Sequence, residues 1–230
     1  MSESLKRQAA KAAMNEIKSG QRLGLGTGST ARHFVELLGE AVSNGFECIC
    51  VPTSEETAHQ ARELGIPLTD LDTISELDVT VDGADEIDPQ LNLIKGGGGA
   101  LLREKIVADA SCVMIVIADG SKMVASLGDF PLPIEVNRFS LGATRRRLEQ
   151  VLGDFKGQGE MKLRLLESGQ PFVSDGGHLI FDAFFGRILD AKALSTALLE
   201  VPGVVQHGLF LGMCDTAFVA TNDGVKRYDR

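Results

Sequence analysis

The chain has 230 residues, of which 43% are hydrophobic, and this is enough for one large domain or two modest ones. Its 32 acidic residues outnumber its 23 Lys and Arg, giving a net charge of -9 without any basic run. This composition argues against a nucleic-acid-binding protein or one that binds anionic membranes. Since we find no signal peptide and no membrane-length apolar run, we expect a cytoplasmic protein whose 4 cysteines stay reduced.

The first predicted elements are a helix, a strand and a turn rich in hydroxyl groups. The alanine-rich stretch Ser4–Met14 predicts a helix, and Arg22–Gly26 predicts the first strand. A turn then precedes a helix predicted over Ala31–Val42, so its hydroxyl groups lie at a helix N-terminus. Because a helix N-terminus attracts anions, we expect this turn to bind phosphate through Thr27, Gly28, Ser29 and Thr30.

The glycines around this turn do not match the two common nucleotide-binding motifs. Gly24, Gly26 and Gly28 lack the G-x-G-x-x-G spacing, and no Gly-Lys-Ser/Thr sequence follows as in a P-loop. The next predicted strand, Phe46–Val51, is followed by Pro-Thr-Ser and not by an acid that would bind a ribose. The turn therefore favours a phosphate monoester over NAD or ATP, and the alternative is a tight turn that binds no ligand.

An acidic loop follows the strand predicted over Leu77–Asp82. Asp82 and Asp85 would lie at the carboxyl end of this strand, where open α/β sheets bind their ligands. Two neighbouring carboxylates are also compatible with a divalent cation. However, no further carboxylate or histidine stands at a ligand spacing, and Lys95 would compete for the same charge. We therefore predict no metal site.

Four glycines, Gly96–Gly99, precede a helix predicted over Ala100–Ala108. Backbone can approach a ligand closely at glycines, and the N–H groups of the first helical turn favour a phosphate or a developing oxyanion. Glu104 lies about one turn inside this helix, so a rigid element would hold its carboxylate. This placement suits a general base.

Strands and helices alternate as far as the apolar strand predicted over Ser111–Ala118, which predicts a mostly parallel sheet with helices on both faces. Lys122 follows this strand and could reach the same crevice as Asp82 and Gly26. We assign this α/β, Rossmann-like domain to residues 1–127 and 206–230.

The order of elements changes after Gly128. The periodicity predicts, in order, a strand over Leu132–Val136, a helix over Ser140–Leu152, strands over Met161–Leu166 and His178–Phe184, a helix over Ala191–Leu199 and a strand over Val204–Phe210. This βαββαβ order is that of a ferredoxin-like unit. We assign residues 128–205 to this smaller domain and expect it to contribute a subunit contact. The stretch Ala217–Ala220, followed by an Asn-Asp-Gly turn, is predicted to return to the first sheet as a hairpin.

Six motifs in this order resemble the type A ribose-5-phosphate isomerase family: GLGTGST, DGADEID, KGGGGALLREK, ADGSK, FPLPIEV and PGVVQHGLF. The resemblance covers nearly the whole chain, and DGADE together with KGGGGA is specific for that family. It implies an enzyme of the pentose phosphate pathway that interconverts ribose 5-phosphate and ribulose 5-phosphate. It also implies no cofactor. Because the helices and sheet of the smaller domain need cover, we expect a homodimer or homotetramer.

The resemblance implies a role for each residue that matches a family motif. Glu104 would be the base, with Asp82, Asp85 and Lys95 as the other catalytic residues. The implied substrate-binding residues are Thr27, Gly28, Ser29, Thr30, Asp82, Gly83, Ala84, Asp85, Lys95, Gly96, Gly97, Gly98, Lys122 and Lys6. The implied reaction removes the proton on C2, forms a cis-enediolate and returns a proton to C1. One carboxylate can carry out both proton transfers.

Two other classes of protein share parts of this pattern. A sugar-phosphate sensor would have the same phosphate turn and fold, but it usually needs an output module such as a helix-turn-helix, which this sequence lacks. A CoA transferase, an enzyme alternative, would use Glu104 as a nucleophile and not as a base. An NAD-dependent dehydrogenase agrees least with the sequence, because the glycines lack the G-x-G-x-x-G spacing. The sequence departs from the family at Ser174–His178, where the family often has Thr-Asp-Asn-Gly-Asn; this affects the smaller domain.

Overall fold

A computed structural model describes residues 3–155 and 160–230. The helices within these ranges are α1 (Glu3–Met14), α2 (Ala31–Ser43), α3 (Glu55–Glu63), α4 (Leu101–Asp109), α5 (Leu141–Asp154) and α6 (Ala191–Leu199). The strands are β1 (Gln21–Leu25), β2 (Cys48–Pro52), β3 (Val79–Asp82), β4 (Glu86–Ile87), β5 (Leu93–Ile94), β6 (Met114–Asp119), β7 (Leu132–Val136), β8 (Glu160–Leu163), β9 (Leu179–Phe184), β10 (Val204–His207), β11 (Leu209–Phe210), β12 (Thr216–Thr221) and β13 (Gly224–Asp229). Among these helices, none is long and apolar enough to cross a membrane.

The described chain forms two compact units. The first contains Met1–Ala84, Arg103–Met123 and Gly212–Arg230, and the second contains Asp85–Leu102 and Val124–Leu211. The second unit thus includes residues 85–102, which we had placed in the larger domain. The assignment of catalysis to one domain and of a subunit contact to the other stays a prediction.

The first unit is built on a sheet whose strand order is β13-β12-β6-β3-β1-β2. All neighbouring pairs in it are parallel except the hairpin β12–β13, and β12 pairs with β6. Side chains of α1 and α2, such as Ala10 and Phe34, form the core on one face. On the other face Val107 of α4 packs with Val51 and Leu77. The predicted parallel sheet with helices on both faces is confirmed, as is the return of the final hairpin to this sheet.

Polar segments collect at one edge of this sheet because its parallel strands all end there. Gly26 follows β1, Thr53 follows β2, β3 ends at Asp82 and β6 ends at Asp119. Helix α4 leads into β6 and runs antiparallel to β3 and β6, so its first turn lies at the same edge. An isolated parallel bridge joins Leu68 to Cys50 of β2.

The second unit contains the predicted ferredoxin-like arrangement. Its antiparallel sheet has the order β10-β7-β9-β8, and α5 and α6 supply buried residues such as Leu148 and Leu194 to its core. A further sheet with the order β11-β5-β4 was not predicted. Its strands have two residues each, too few for a periodic signal, and the strand expected over Val204–Phe210 is therefore divided into β10 and β11.

Candidate active site

The hydroxyl-rich turn Thr27–Thr30 connects β1 to the N-terminus of α2, as predicted. Gly28 has a φ of 107°, a left-handed conformation that glycine adopts without steric cost. Gly28 and Ser29 are exposed, whereas Thr27 and Thr30 are half-buried. Thr30 occupies the N-cap position, as predicted, and its side chain makes no capping hydrogen bond. The turn is thus shaped for an anion and presents hydroxyl groups to it.

The hydroxyl of Thr27 lies at the centre of a cluster that the sequence analysis missed. Its Oγ1 is 2.7 Å from Thr53 Oγ1, 2.8 Å from Ser54 Oγ and 3.2 Å from Thr57 Oγ1. Thr57 in turn donates to the carbonyl of Gly26 at 3.0 Å. These residues fix the start of the turn from α3 and the end of β2. The available signal is the Pro-Thr-Ser sequence at the end of β2, whose hydroxyl groups are too common in turns to predict these contacts from residue type alone.

Asp82 is fully buried at the end of β3 and organises the neighbouring loops. Its Oδ1 accepts the N–H groups of Thr27 at 3.1 Å and of Gly83 at 2.7 Å. Gly26 is required beside it, because a Cβ atom at this position would stand 2.1 Å from Asp82 Oδ1 and 2.5 Å from its Cα. The structure therefore joins the predicted phosphate turn directly to the first predicted acid.

Glu104 lies in the first turn of α4 with only 4% of its surface exposed. The helix is fixed against the sheet, since a Cβ atom added to Gly24 of β1 would stand 2.7 Å from Val107 Cγ1. Lys105 follows Glu104, and burial lowers the pKa of Lys105 to about 7. A helix thus carries Glu104, as predicted, and the residue is largely shielded from solvent.

Asp85 and the glycine segment Gly96–Gly99 meet in the second unit. Asp85 Oδ2 accepts the N–H of Gly97 at 2.8 Å, and a Cβ atom on Gly97 would stand 2.6 Å from Asp85 Oδ1. Gly96 and Gly99 have φ angles of 103° and 83°, and the N–H of Gly99 donates to the Gly96 carbonyl at 2.9 Å. The segment is a tight turn and not a flexible connector, with Gly97 and Gly98 exposed at its tip.

Lys95 precedes this turn and is 2% exposed. Its N–H donates to the carbonyl of Gly208 at 2.9 Å, and its Nζ lies 5.6 Å from the centre of the Phe210 ring. An aromatic face attracts a cation, so Phe210 favours the ammonium at this buried position. The motifs KGGGGA and PGVVQHGLF are thereby brought together.

Lys6 and Lys122 lie in different parts of the first unit. Lys6 is 5% exposed on α1, and its Nζ is 2.6 Å from Glu3 Oε1, while Glu3 Oε2 is 2.8 Å from Nε2 of His33 near the start of α2. The hydrogen bond from Lys6, and to a smaller extent that from His33, holds the pKa of the Glu3 carboxyl below its usual value. Lys122 ends a 3₁₀ turn (Gly120–Lys122) that begins where β6 ends, and it is half-buried. Both lysines thus lie on elements that adjoin the polar edge of the sheet.

Within residues 3–155 and 160–230, no group of three or more His, Cys, Asp or Glu side chains could together hold a metal ion. The first unit brings together Thr27, Gly83 and Asp82, and the second brings together Asp85 and Gly97. These features define an open-sheet α/β protein with a hydroxyl-rich turn at a helix N-terminus and buried carboxylates at the carboxyl edge of its strands, and proteins of this class bind small ligands at that edge.

Comparisons with known proteins agree with this class and narrow it. The family model described as "Ribose 5-phosphate isomerase A (phosphoriboisomerase A)" matches residues 49–224. The chain is 59% identical to a ribose-5-phosphate isomerase A of Rhodopseudomonas palustris over 228 residues, covering 99% of this chain and 98% of the relative. It is 58% identical to that of Bradyrhizobium diazoefficiens, covering 98% of this chain and 95% of the relative. The chain belongs to the ribose 5-phosphate isomerase A family.

Solved structures with the same fold cover the whole chain. A ribose 5-phosphate isomerase from Plasmodium falciparum superimposes with a TM-score of 0.93 at 39% identity, covering 100% of this chain and 99% of that one. A D-ribose-5-phosphate isomerase in complex with phospho-erythronic acid gives a TM-score of 0.92, also at 39% identity, with 100% of both chains covered. The fold is therefore that of ribose-5-phosphate isomerases along its full length.

Proposed function

We propose that this protein is an aldose–ketose isomerase that interconverts D-ribose 5-phosphate and D-ribulose 5-phosphate in the non-oxidative pentose phosphate pathway. The observation that carries the proposal is the 59% identity to a ribose-5-phosphate isomerase A over 99% of the chain. The hydroxyl-rich turn at the N-terminus of α2 supports a phosphate monoester as part of the substrate. The ligand of one related structure, phospho-erythronic acid, is likewise a phosphorylated polyol with a planar, oxygen-rich end.

We propose that Glu104 removes the proton from C2 of the open-chain aldose and returns it to C1. Because this carboxylate is buried and carried by a helix, it keeps one position through both transfers, and little water competes for the proton. The electron pair left on C2 moves toward the C1 carbonyl oxygen and gives a cis-enediolate. The negative charge then lies on the sugar oxygens and needs a fixed positive partner.

Lys95 and the glycine segment would supply that partner. The ammonium of Lys95 is held at a buried position, and N–H groups of the glycine segment are fixed by its tight turn. Such preorganised donors stabilise a developing oxyanion without reorganisation during the reaction. Asp82 and Asp85 would hold the sugar hydroxyls and move protons between O1 and O2, or assist opening of the furanose ring. Thr27–Thr30, Lys6 and Lys122 would bind the phosphate.

We expect purified protein to convert ribose 5-phosphate to ribulose 5-phosphate in the presence of EDTA, because the proposed steps use only side chains and backbone groups of this chain. The measurement is ketose formation followed by absorbance, with ribose lacking the phosphate as the comparison substrate. Conversion of ribose 5-phosphate at a turnover far above that of ribose would support the proposal. Binding of the sugar phosphate without any ketose would contradict it and favour a sensor.

We also propose that the protein self-associates into a homodimer or homotetramer through its second unit. Two large apolar side chains there are exposed to an unusual degree, Phe139 at 83% and Leu189 at 73%. Phe139 lines a groove together with Thr144, Pro202 and Val204. Exposed apolar surface of this kind marks interaction sites.

Light scattering on the wild type should therefore give at least twice the chain mass, and Phe139→Asp should shift the protein toward the monomer. Val225→Asp, at a 37% exposed valine of the first unit, is the matched control and should leave the mass unchanged. A monomeric wild type at micromolar concentration would refute the assembly.

A further inference from the structure

The glycine segment is held from one side by Arg164, a residue that no motif singled out. Arg164 Nη1 donates to the carbonyl of Gly96 at 2.8 Å and to that of Gly97 at 3.2 Å. The arginine follows β8, and its backbone pairs with Ile180 of β9 and with Phe172. A side chain 68 positions away thus contacts two successive carbonyls of the turn that carries the proposed oxyanion donors.

The guanidinium group is itself fixed by Asp182 of β9. Arg164 Nε donates to Asp182 Oδ2 at 2.9 Å and Nη2 donates to Oδ1 at 2.5 Å, which is a two-point contact between planar groups. The two side chains are only 15% and 20% exposed. Because the carboxylate occupies one edge of the guanidinium, Nη1 is directed at the glycine carbonyls. Asp182 therefore sets the direction of the contact, and Arg164 makes it.

The ring of Phe172 restricts the backbone conformation of the glycine segment at its other end, Gly99. This ring packs so closely on Gly99 that a Cβ atom there would stand 2.3 Å from Phe172 Cζ. The Arg164 guanidinium carbon lies 5.8 Å from the centre of this ring. Consecutive glycines can adopt many backbone conformations, so a glycine turn needs such external contacts to keep one of them.

The orientation of the two carbonyls determines where the N–H groups point. In a planar trans peptide, the C=O of one residue and the N–H of the next point in opposite directions. With the Gly96 and Gly97 carbonyls toward Arg164, the N–H groups of Gly97 and Gly98 are directed away from it. The Gly97 N–H accordingly donates to Asp85 Oδ2 at 2.8 Å.

We propose that Arg164 is a positioning residue for the isomerisation: it fixes two peptide groups so that the Gly97 N–H orients Asp85 and the Gly98 N–H faces the developing enediolate. This inference rests on the proposed function. If either peptide group rotated, a carbonyl oxygen would replace an N–H donor on the substrate side, and the oxyanion would meet a repulsive dipole. Loss of Arg164 should therefore weaken transition-state stabilisation more than substrate binding.

The test compares Arg164→Met and Arg164→Lys with the wild type in kcat, KM for ribose 5-phosphate, affinity for phospho-erythronic acid and melting temperature. We expect kcat to fall about 10- to 100-fold in Arg164→Met, since removal of one oxyanion donor typically costs about 100- to 1000-fold and misdirection costs part of that. KM should stay within about threefold, while phospho-erythronic acid, with its planar carboxylate, should bind less tightly by a factor close to the loss in kcat. Arg164→Lys retains a cation for one of the two carbonyls, so its kcat should lie between that of the wild type and that of Arg164→Met.

Arg145→Met is the matched control, because Arg145 is also paired with a carboxylate in the second unit but is 51% exposed. It should keep wild-type kinetics. Wild-type kcat in both Arg164 variants would overturn the proposal. A loss of kcat matched by an equal loss of substrate affinity and accompanied by a lower melting temperature would also overturn it, because it would indicate a structural role. If Arg164→Met does not fold, the kcat, KM, inhibitor affinity and melting temperature of Arg164→Lys test the proposal in its place. A wild type that neither isomerises ribose 5-phosphate nor binds phospho-erythronic acid would refute the proposed function itself.

Discussion

Replacement of Glu104 by Gln is expected to lower kcat by about two to four orders of magnitude, the range that a general base contributes, while KM changes little. The amide has nearly the same shape as the carboxylate, so the helix and its packing should be unaffected. It cannot accept the proton from C2, and at a position only 4% exposed little water is available to replace it. The loss should therefore lie in the chemical step.

Exchange of the C2 proton with solvent deuterium, followed by NMR, measures that step directly and should be lost together with ketose formation. Glu63→Gln is a suitable control, since Glu63 is also carried by a helix of the first unit but its side chain is 69% exposed. If kcat stayed normal and only KM rose, Glu104 would bind the substrate without catalysing. A covalent adduct with an acyl-CoA at Glu104, trapped with hydroxylamine, would instead indicate a transferase.

Replacement of Lys95 by Ala should reduce kcat/KM by about 100- to 1000-fold, with contributions from both kcat and KM. The variant removes the ammonium that would offset the enediolate charge, an effect of the size measured for single oxyanion donors. It also leaves a cavity beside Phe210, where the Lys95 side chain packs with only 2% of the residue exposed. Lys95→Met fills most of that cavity, so a similar loss of activity in both variants would assign the effect to the charge.

Lys162→Ala provides the matched control for this experiment. Lys162 also lies over an aromatic ring of the second unit, with its Nζ 5.4 Å from the centre of the Phe184 ring, but its side chain is 60% exposed. Its removal should leave the kinetics unchanged. Near-normal turnover in Lys95→Ala would remove Lys95 from the mechanism.

Much of the fold could be predicted because its long elements have clear periodicity. Strand β7 and helix α6 begin and end at the expected residues, and the βαββαβ order was sufficient to predict the four-stranded antiparallel sheet. The two-residue strands β4, β5 and β11 could not be predicted, because a period of two cannot be recognised in so short a run. Ser54 accepts the N–H of Thr57 at the start of α3, whereas the side chain of Thr30 makes no capping hydrogen bond at the start of α2, so residue type alone did not determine capping.

The candidate site was predictable where its chemistry is concentrated in continuous sequence. Asp82 and Glu104 lie within one stretch, and residue type and predicted elements were sufficient to propose them as site residues. Arg164 was missed because its partners are two backbone carbonyls 68 and 67 positions away. Every residue has a backbone carbonyl, so the sequence gives no sign of which one a distant arginine contacts. The contacts of Thr27 with Thr53 and Thr57 were missed for a related reason, since they depend on the lateral order of β1 and β2 in the sheet.

The position of β12 has a consequence for the synthesis of the chain. This strand is buried between β6 and β13, and the N–H of Met114 at the start of β6 donates to the carboxylate of Asp215, 101 positions later. While the ribosome adds those residues, β6 is already complete but has no partner on that side, and unpaired apolar strands are prone to join the wrong chain. We therefore expect nascent chains that stop before Asp215 to be the form of this protein most dependent on chaperones.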